Sequence, residues 1–314
     1  MKENKAKYKD FCNTNHVPIF YHPWWLDIVC GPEKWNVALV ENENSVLAVH
    51  PYYLKRRKFV SMPNFTPYMG PLLNYPEEQN YRNRLKFEKD NMSKMIEQLP
   101  SFIYFNQRFP AIISNWLPFY WKDFKQTTRY TYVISLDKDQ DTLFSQFKEN
   151  VRRNIKKARK TIKVVDGLNE IHVFYKLLAK NLKLTYTEEL LKKLINECYK
   201  NNAGKLLLAK DEDDLIYSGV FIVWDKEKTY YLLGAREPKL NNTRAMSLLL
   251  WEAIKTGSEK SEYFDFEGSM IEPVERFFRN FGTEQLQYFH VYKYNSVFIR
   301  GIVGLLGIFN KKYF

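Results

Sequence analysis

Residues 263–284, YFDFEGSMIEPVERFFRNFGTE, join a short aromatic run to an amphipathic one. The first residues alternate as in a β-strand, which places Tyr263, Asp265 and Glu267 on one face. Arg and Phe residues then recur at the spacing of a helix, which ends before an Asn-Phe-Gly sequence. In α/β proteins ligands bind beyond the carboxyl ends of such strands. We therefore predict a strand, a turn and a helix, with Glu267 and Ser269 at the ligand-binding end.

The two carboxylates of this strand allow two interpretations. In the first, Asp265 forms an ion pair with Arg276 or Arg279, and Glu267 caps the next helix, so that both serve the fold. In the second, one of the two carboxylates acts as a catalytic base.

The composition of the chain is that of a folded protein with more than one core. A length of 314 residues favours two domains, and 45% hydrophobic residues exclude disorder. The net charge of +12 favours polyanionic neighbours such as nucleic acid, a nucleotide diphosphate or an anionic membrane, although a merely soluble basic protein fits equally well. Three unpaired cysteines and a polar start without a signal peptide favour a cytoplasmic location.

Several chemistries lack their motifs. The five histidines show no HxxxH or Cys/His spacing, so we expect no metal site. The sequence has neither a GxSxG motif nor a GxxxxGK[ST] phosphate loop. Serine hydrolases of that type and P-loop enzymes are therefore excluded.

The two halves of the sequence follow a similar order of elements. Residues 35–57 and 205–225 each consist of two β-rich runs around a polar four-residue turn, at an offset of 170 residues. A helix, a strand, a second helix and a final strand follow each of them. We interpret this order as an internal duplication of one α/β unit, the alternative being a coincidence of two hairpins.

A basic amphipathic segment lies between the halves. In residues 141–163, apolar residues at spacings of three and four predict one helix packed on the core. Eight Lys and Arg residues against a single Glu149 occupy residues 148–163. This face is either simply solvated, or it binds phosphate groups through Arg152, Arg153 and Lys156. Further helices are predicted at 171–182 and 188–201, the second with Thr185 and Glu188 as a capping box.

The segments VRRNIKKARK (151–160), LLLWEAIKTG (248–257), YFDFEGS (263–269) and ERFFRNFGTE (275–284) together resemble the Fem-type branch of the GNAT superfamily of N-acyltransferases. PWWLDIV (23–29) and FTPYMGPLL (65–73) resemble the degenerate partner domain of that branch. The resemblance implies an α/β (α+β) fold with mixed sheets and two tandem GNAT-like domains. The first, degenerate domain would comprise residues 1–135, and the acyltransferase domain residues 136–314.

The resemblance also implies direct transfer of an acyl or aminoacyl group to an amine. The residues expected to take part in catalysis, as base or oxyanion donors, are Glu267, Asp265, Ser269, Arg279 and Tyr288. Those expected to bind the substrate or its phosphates are Arg152, Arg153, Lys156, Arg276, Tyr68 and Phe65. Those expected to bind the acyl donor are Leu233, Gly234, Ala235 and Arg244.

The donor implied by the resemblance is acyl-CoA, with aminoacyl-tRNA as the alternative and no permanently bound cofactor. The chain departs from the family at two places that bear on this choice. Residues 236–246 lack glycine where the GNAT pyrophosphate loop is glycine-rich, and residues 182–205 are too short for the two-helix arm of tRNA-dependent members.

The expected function is N-acylation of an amine on a cell-envelope or surface-polysaccharide precursor, which would be a small molecule or linked to a lipid or nucleotide. Aminoacyl-tRNA-dependent building of peptidoglycan cross-bridges is one alternative. A non-catalytic GNAT-like module that binds a nucleotide-linked sugar or anionic lipid is another. DNA is not an expected partner.

The C-terminal residues 296–314 are amphipathic. They are expected either to pack on the core or a partner, or to contact the inner face of the membrane.

Overall fold

The computed structural model describes residues 2–43, 45–240, 243–268 and 270–296. Within them the chain divides into two compact units. Unit 1 comprises residues 2–15, residues 20–129 and the described residues from 287 onwards, whereas unit 2 comprises residues 16–19 and 130–286. This division follows contacts, whereas the predicted domains 1–135 and 136–314 follow the repeat in the sequence.

Short runs of helices and strands follow one another along the chain. The described α-helices are α1 (Lys2–Thr14), α2 (Pro23–Cys30), α3 (Tyr81–Glu97), α4 (Leu117–Trp121), α5 (Gln140–Gln146), α6 (Glu149–Ala158), α7 (Ile171–Asn181), α8 (Glu188–Lys200), α9 (Thr243–Ser258) and α10 (Glu272–Arg279). The described strands are β1 (Trp35–Glu41), β2 (Val46–Arg56), β3 (Phe59–Ser61), β4 (Leu72–Leu73), β5 (Tyr104–Arg108), β6 (Lys125–Ser135), β7 (Lys163–Asp166), β8 (Gly204–Lys210), β9 (Ile216–Trp224), β10 (Lys228–Arg236), β11 (Tyr263–Asp265) and β12 (Glu284–Tyr294).

The sheet of unit 1 has the order β1-β2-β3-β5-β12, with β4 paired to β2. The pairs β1/β2 and β2/β3 are antiparallel, β3/β5 is parallel, and β5/β12 is antiparallel. The predicted first hairpin is confirmed as β1 and β2. The next predicted strand, 101–105, is observed three residues later as β5.

The sheet of unit 2 has the order β7-β8-β9-β10-β11-β6. The pairs β8/β9 and β9/β10 are antiparallel, β10/β11 is parallel, and β11/β6 is antiparallel. The predicted second hairpin is confirmed as β8 and β9. The order of pair types from β8 to β6 repeats that from β1 to β12, which supports the inferred duplication. Each sheet is completed by a strand from a distant part of the chain, β12 in unit 1 and β6 in unit 2.

The basic amphipathic segment forms two helices, so the prediction of one continuous helix is wrong. Phe147 between α5 and α6 is extended, with φ −67° and ψ 143°. Its ring packs against Trp251 and Phe281, at centroid distances of 5.3 and 5.1 Å. The amide of Lys148 donates to the carbonyl of Asn280 at 2.9 Å instead of continuing a helix. Tertiary packing therefore overrides local helical preference at this point.

The apolar stripe of this segment is confirmed as core. Val151, Ile155, Ala158 and Ile162 are all buried in the cluster that also holds Phe147. The basic residues of α6 consequently lie on its other faces, because the stripe fixes the side that packs.

The start of α8 differs from the prediction. Its N-cap is Thr187, whose hydroxyl accepts a hydrogen bond from the amide of Leu190 at 3.3 Å. The predicted capping box of Thr185 and Glu188 is therefore wrong by two residues, because the nearer threonine satisfies the first amides of the helix.

Truncation of Phe147 tests whether its packing holds the link between α5 and α6. Phe147→Ala is expected to lower the free energy of unfolding by about 3–5 kcal/mol, because it empties a buried aromatic site. Leu182→Ala is the control, since Leu182 is 50% exposed, and is expected to change little. Urea denaturation followed by circular dichroism measures both. Equal stabilities of the two variants would contradict this account of the link.

Candidate functional site

The two parallel strands of unit 2 separate at the carboxyl end of β11. Their pairing runs from Lys228 opposite Tyr263 to Tyr230 opposite Asp265, and β10 then continues to Arg236. The predicted strand reached Glu267, whereas the observed strand stops at Asp265. The last six residues of β10, 231–236, are therefore not paired with β11.

A bulge in β10 accompanies this separation. The register with β9 shifts between Tyr231 and Leu233, so one extra residue enters β10. The side chain of Tyr231 then lies over Gly234, where a Cβ would be 1.9 Å from the tyrosine oxygen. Burial raises the pKa of Tyr231, so its hydroxyl stays protonated at neutral pH. Only glycine at position 234 leaves room for this hydroxyl.

Asp265 organises the turn that ends β11. Its side chain is fully buried, and its Oδ1 atom accepts hydrogen bonds from the Thr131 hydroxyl and from the amide of Glu267, the latter at 2.9 Å. The predicted pairing of Asp265 with Arg276 or Arg279 is wrong. Those arginines instead pair along their own helix with Glu272, at 2.8 Å, and Glu275, at 3.4 Å.

The charge of Asp265 is only partly compensated. Burial raises the pKa of this carboxyl, whereas the nearby Lys228 ammonium and the bonds from Thr131 and the Glu267 amide act in the opposite direction. In the part of the chain that the structure describes, its Oδ2 atom has no hydrogen-bond partner. The carboxyl thus stabilises the turn by accepting hydrogen bonds from two neutral donors, and its burial costs desolvation free energy.

The turn itself holds Glu267 in a strained conformation. Glu267 and Gly268 have φ values of +61° and +57°, in the left-handed region. That region costs a non-glycine residue about 1–2 kcal/mol. A Cβ at Gly268 would lie 2.0 Å from the carbonyl oxygen of Tyr130, so the turn is pressed against β6. Such strain at the end of a strand is typical of functional residues, and it sets the half-buried Glu267 beside the separated strands.

A basic cavity of about 630 Å³ lies where the link between α5 and α6 meets the end of α10. The described residues that line it include the cations Lys148, Arg276 and Arg279 and no carboxylate. The remaining lining residues are Gln146, Asn150, Asn280 and Gly282. Because α6 begins at this cavity, the positive end of its dipole adds to the field of the three cations.

A second basic groove, of about 600 Å³, runs along α6. The structure brings together here the predicted phosphate-binding residues Arg152, Arg153 and Lys156. Glu149, Lys157 and Lys160 complete the lining. The Nε atom of Arg152 is buried without a hydrogen-bond acceptor in the described part of the chain.

The other predicted site residues are distributed over both units. In unit 1, the rings of Tyr68 and Tyr288 meet edge to face at 5.1 Å, and Phe65 is buried with φ +60°. In unit 2, Leu233, Gly234 and Ala235 lie on β10 beyond its bulge, and the exposed Arg244 lies in the first turn of α9. Ser269 and the predicted C-terminal helix lie outside the described residues.

Arg279 and Glu267 lie at opposite ends of α10. The eight residues of that helix span about 10–12 Å. Arg279 lines the basic cavity, whereas Glu267 precedes the first turn of the helix.

Sequence reasoning missed the residues of β6 that support the site. Besides Thr131, the Tyr132 hydroxyl donates to Glu275 at 3.2 Å and accepts from the Gln285 amide at 2.6 Å. Tyr231 and Lys148 were missed as well. The alternation of polar and apolar residues in β6 was a signal, but its partner strand was not known from sequence.

Residues 145–277, less than half of the chain, match the family model of the acetyltransferase (GNAT) domain. This part of the chain is similar to GNAT acetyltransferase domains. The match spans the separated strands, the basic helix α6 and most of α10. A search of curated proteins gives no match to the chain.

Solved structures extend the similarity of the GNAT domain to both units. FemX aligns over 92% of this chain and 95% of its own, with 14% identity and a TM-score of 0.63. L-PGS from Bacillus licheniformis aligns over 85% and 87%, with 12% identity and a TM-score of 0.50. A tandem GNAT protein from the clavulanic acid biosynthesis pathway aligns over 93% and 94%, with 7% identity and a TM-score of 0.51. These likenesses concern the fold, and they confirm the predicted Fem-type fold with tandem GNAT-like domains.

The described residues lack two features, a membrane-spanning helix and a metal-ligand cluster. They contain no helix with the length and apolar character needed to cross a bilayer. In the same residues, no group of three or more His, Cys, Asp or Glu side chains is arranged to hold a metal ion.

The pH dependence of stability tests the role of Asp265. Its pKa is raised above the ordinary 3.8 in the folded protein, so above about pH 4 the folded state retains a proton that the unfolded state loses. Stability from this group therefore falls as pH rises through that window. Asp265→Asn keeps an acceptor for the Glu267 amide and does not ionise. The stability of this variant relative to the wild type is expected to increase from pH 4 to pH 7.

Unfolding by urea at several pH values measures this difference, with Asp265→Ala as the companion variant. The alanine removes the acceptor and is expected to cost about 1–3 kcal/mol at neutral pH. If the stability of Asp265→Asn relative to the wild type is independent of pH, the pKa of Asp265 is not raised in the folded protein.

Proposed function

We propose that the protein is an N-acyltransferase that transfers an acyl or aminoacyl group to an amine of a cell-envelope or surface-polysaccharide precursor. The observation that carries the proposal is the position of Glu267. This carboxylate is held by a strained turn where the parallel strands β10 and β11 of a GNAT domain separate. A general base and a binding edge for an extended donor would then lie side by side.

The exposed edge of β10 would hold the acyl donor. Residues 231–236 continue beyond the pairing with β11, so their backbone groups on that side can bond to an extended chain, as an added β-strand does. The predicted donor residues Leu233, Gly234 and Ala235 lie on this segment, and Arg244 follows on α9. Acyl-CoA is the proposed donor. Because residues 236–246 contain no glycine, aminoacyl-tRNA remains the alternative.

The proposed reaction needs one proton acceptor and one oxyanion site. Glu267 takes the proton of the acceptor ammonium, directly or through a water molecule, and the neutral amine attacks the carbonyl carbon of the donor. The tetrahedral oxyanion collapses to the amide as the nitrogen loses its second proton. The thiolate of CoA, or the tRNA oxygen in the alternative, leaves and takes up that proton. The oxyanion donors predicted from the sequence are Ser269, Tyr288 and Arg279, of which Arg279 lies at the other end of α10 from Glu267.

The basic surfaces around α6 favour an acceptor that carries phosphate. Arginine forks bind phosphate through two bonds, and lysine adds a point charge. Arg152, Arg153 and Lys156 line one groove, and Arg276 lines the adjacent cavity. A nucleotide-linked or lipid-linked precursor fits this charge. Tyr68 and Phe65 of unit 1 remain proposed substrate contacts.

The proposed location is the cytoplasm, at the inner face of the membrane, where precursors of this kind are built. The cysteines Cys12, Cys30 and Cys198 are all buried thiols, which is compatible with a reducing compartment. A catalytically silent binding module is the second candidate, favoured by the absence of glycine from residues 236–246.

Replacement of Glu267 separates the enzyme from the binding module. Glu267→Gln is expected to lower kcat by about 10²–10⁴-fold with little change in melting temperature, because it removes the base and keeps the shape. Glu259→Gln, an exposed carboxylate after α9, is the matched control and should keep full activity. Release of the CoA thiol, measured with a panel of acyl-CoA donors and amine acceptors, reports the rate. Full activity of the Glu267 variant would rule out its role as base.

Neutralisation of the groove tests phosphate binding by α6. The triple change Arg152→Gln, Arg153→Gln and Lys156→Gln is expected to raise KM for the phosphate-bearing substrate by about tenfold or more, and to weaken its salt dependence. The matched control removes three exposed lysines of α8, Lys192, Lys193 and Lys200, and so loses the same charge. Kinetics at two ionic strengths measure both variants. If KM and its salt dependence change equally in the two variants, the groove is only a solvated surface.

A further inference from the structure

One face of the sheet in unit 1 is lined by tyrosines and basic side chains. Alternate residues of a strand share a face, and this face receives Tyr288, His290, Tyr292 and Tyr294 from β12 and Tyr104, Asn106 and Arg108 from β5. The intervening residues Phe105 and Val291 are fully buried in the hydrophobic core. Over these residues, the other side of the strands is mainly apolar, with Gln107 and Lys293 as its polar members, whereas this side is aromatic and polar.

The aromatic side chains of this face form a row. His290 lies 6.0 Å from Tyr292, and Tyr292 lies 5.7 Å from Tyr294 between ring centroids. Tyr294 stacks on Tyr104 at 5.3 Å. Tyr292, Tyr294 and Tyr104 are only partly buried. A wall of partly exposed rings suits a flat or sugar-like ligand better than it suits water.

Two arginines lie beside this row without a counter-ion. Arg108 is directly opposite His290 in the register of β5 and β12, and both Arg108 and Arg129 are half-buried. Neither guanidinium makes an ion pair with any residue that the structure describes. The Nε atom of Arg129 is buried and lacks a hydrogen-bond acceptor there.

The histidine near both arginines adds no charge of its own at neutral pH. His290 is within hydrogen-bond distance of the Asn106 side chain, at 2.8 Å. Burial, and then the charges of Arg108 and Arg129, lower the pKa of His290 to about 4. At neutral pH the ring is therefore uncharged, and the positive field of the two arginines remains uncompensated.

Such an arrangement is costly unless something binds there. A charge taken partly out of water without a partner costs free energy, and both cations lie near enough to His290 to lower its pKa, so they also repel each other. We propose that Arg108 and Arg129 bind an oxyanion, phosphate or carboxylate, of a ligand whose body packs on the tyrosine row. This site lies in unit 1, and it does not depend on acyl transfer by the GNAT domain.

NMR signals of the arginine Nε–H groups test the proposal at the site itself. The Arg129 signal is assigned by its loss in Arg129→Gln, and the full-length protein is titrated with sodium pyrophosphate and, separately, with succinate at constant ionic strength. In the wild type the signal is expected to shift and saturate. Arg108→Gln is expected to raise the dissociation constant read from that signal by about tenfold or more, because one charge-assisted contact is lost.

Arg57→Gln is the matched control, since Arg57 is exposed in the turn between β2 and β3, and it should leave the titration unchanged. Saturation by pyrophosphate at lower concentration than by succinate would identify a phosphate ligand, and the reverse order a carboxylate ligand. No saturable shift with either anion overturns the proposal. So does an unchanged dissociation constant in Arg108→Gln, provided that its circular dichroism spectrum remains that of the wild type.

Discussion

The structure around the candidate site depends on one buried carboxylate. Asp265 accepts a hydrogen bond from the amide of Glu267 and another from the hydroxyl of Thr131 on the neighbouring strand. These two bonds end β11, fold the chain back against β6 and set Glu267 in a left-handed conformation. Because β11 stops there, β10 continues for six residues beyond its pairing with β11. The separation of the strands thus follows from the hydrogen bonds of Asp265. The bulge in β10 lies beside the point of separation.

Much of the fold could be predicted from local pattern, because strand and helix periodicities are properties of neighbouring residues. The two hairpins and the apolar stripe of α6 belong to this class. The break at Phe147 does not, because it depends on Trp251 and Phe281, which lie more than 100 residues away in the sequence. Local preference favoured a continuous helix, and packing of one ring decided otherwise.

The candidate site likewise combines features that local sequence pattern predicts with features that depend on distant residues. The pattern of the predicted strand pointed to Asp265 and Glu267, because carboxylates in a strand covered on both faces need partners. Their different roles could not be read from spacing, because the partner that distinguishes them, Thr131, lies 134 residues away. The arginines of unit 1 escaped notice for a related reason. Arg108 and His290 are brought together only by strand pairing, and their separation in the sequence gives no sign of it.

The entry of β12 into the first sheet has a consequence for how the chain acquires its structure. Asn106 and His290 are hydrogen-bonded across 184 residues, so during synthesis the ribosome must deliver all of unit 2 before β5 gains this neighbour. Until then β5 presents an open edge, which is a template for aggregation. Closing so long a loop also slows folding. The nascent chain therefore carries this unpaired edge of β5 until β12 has been synthesised.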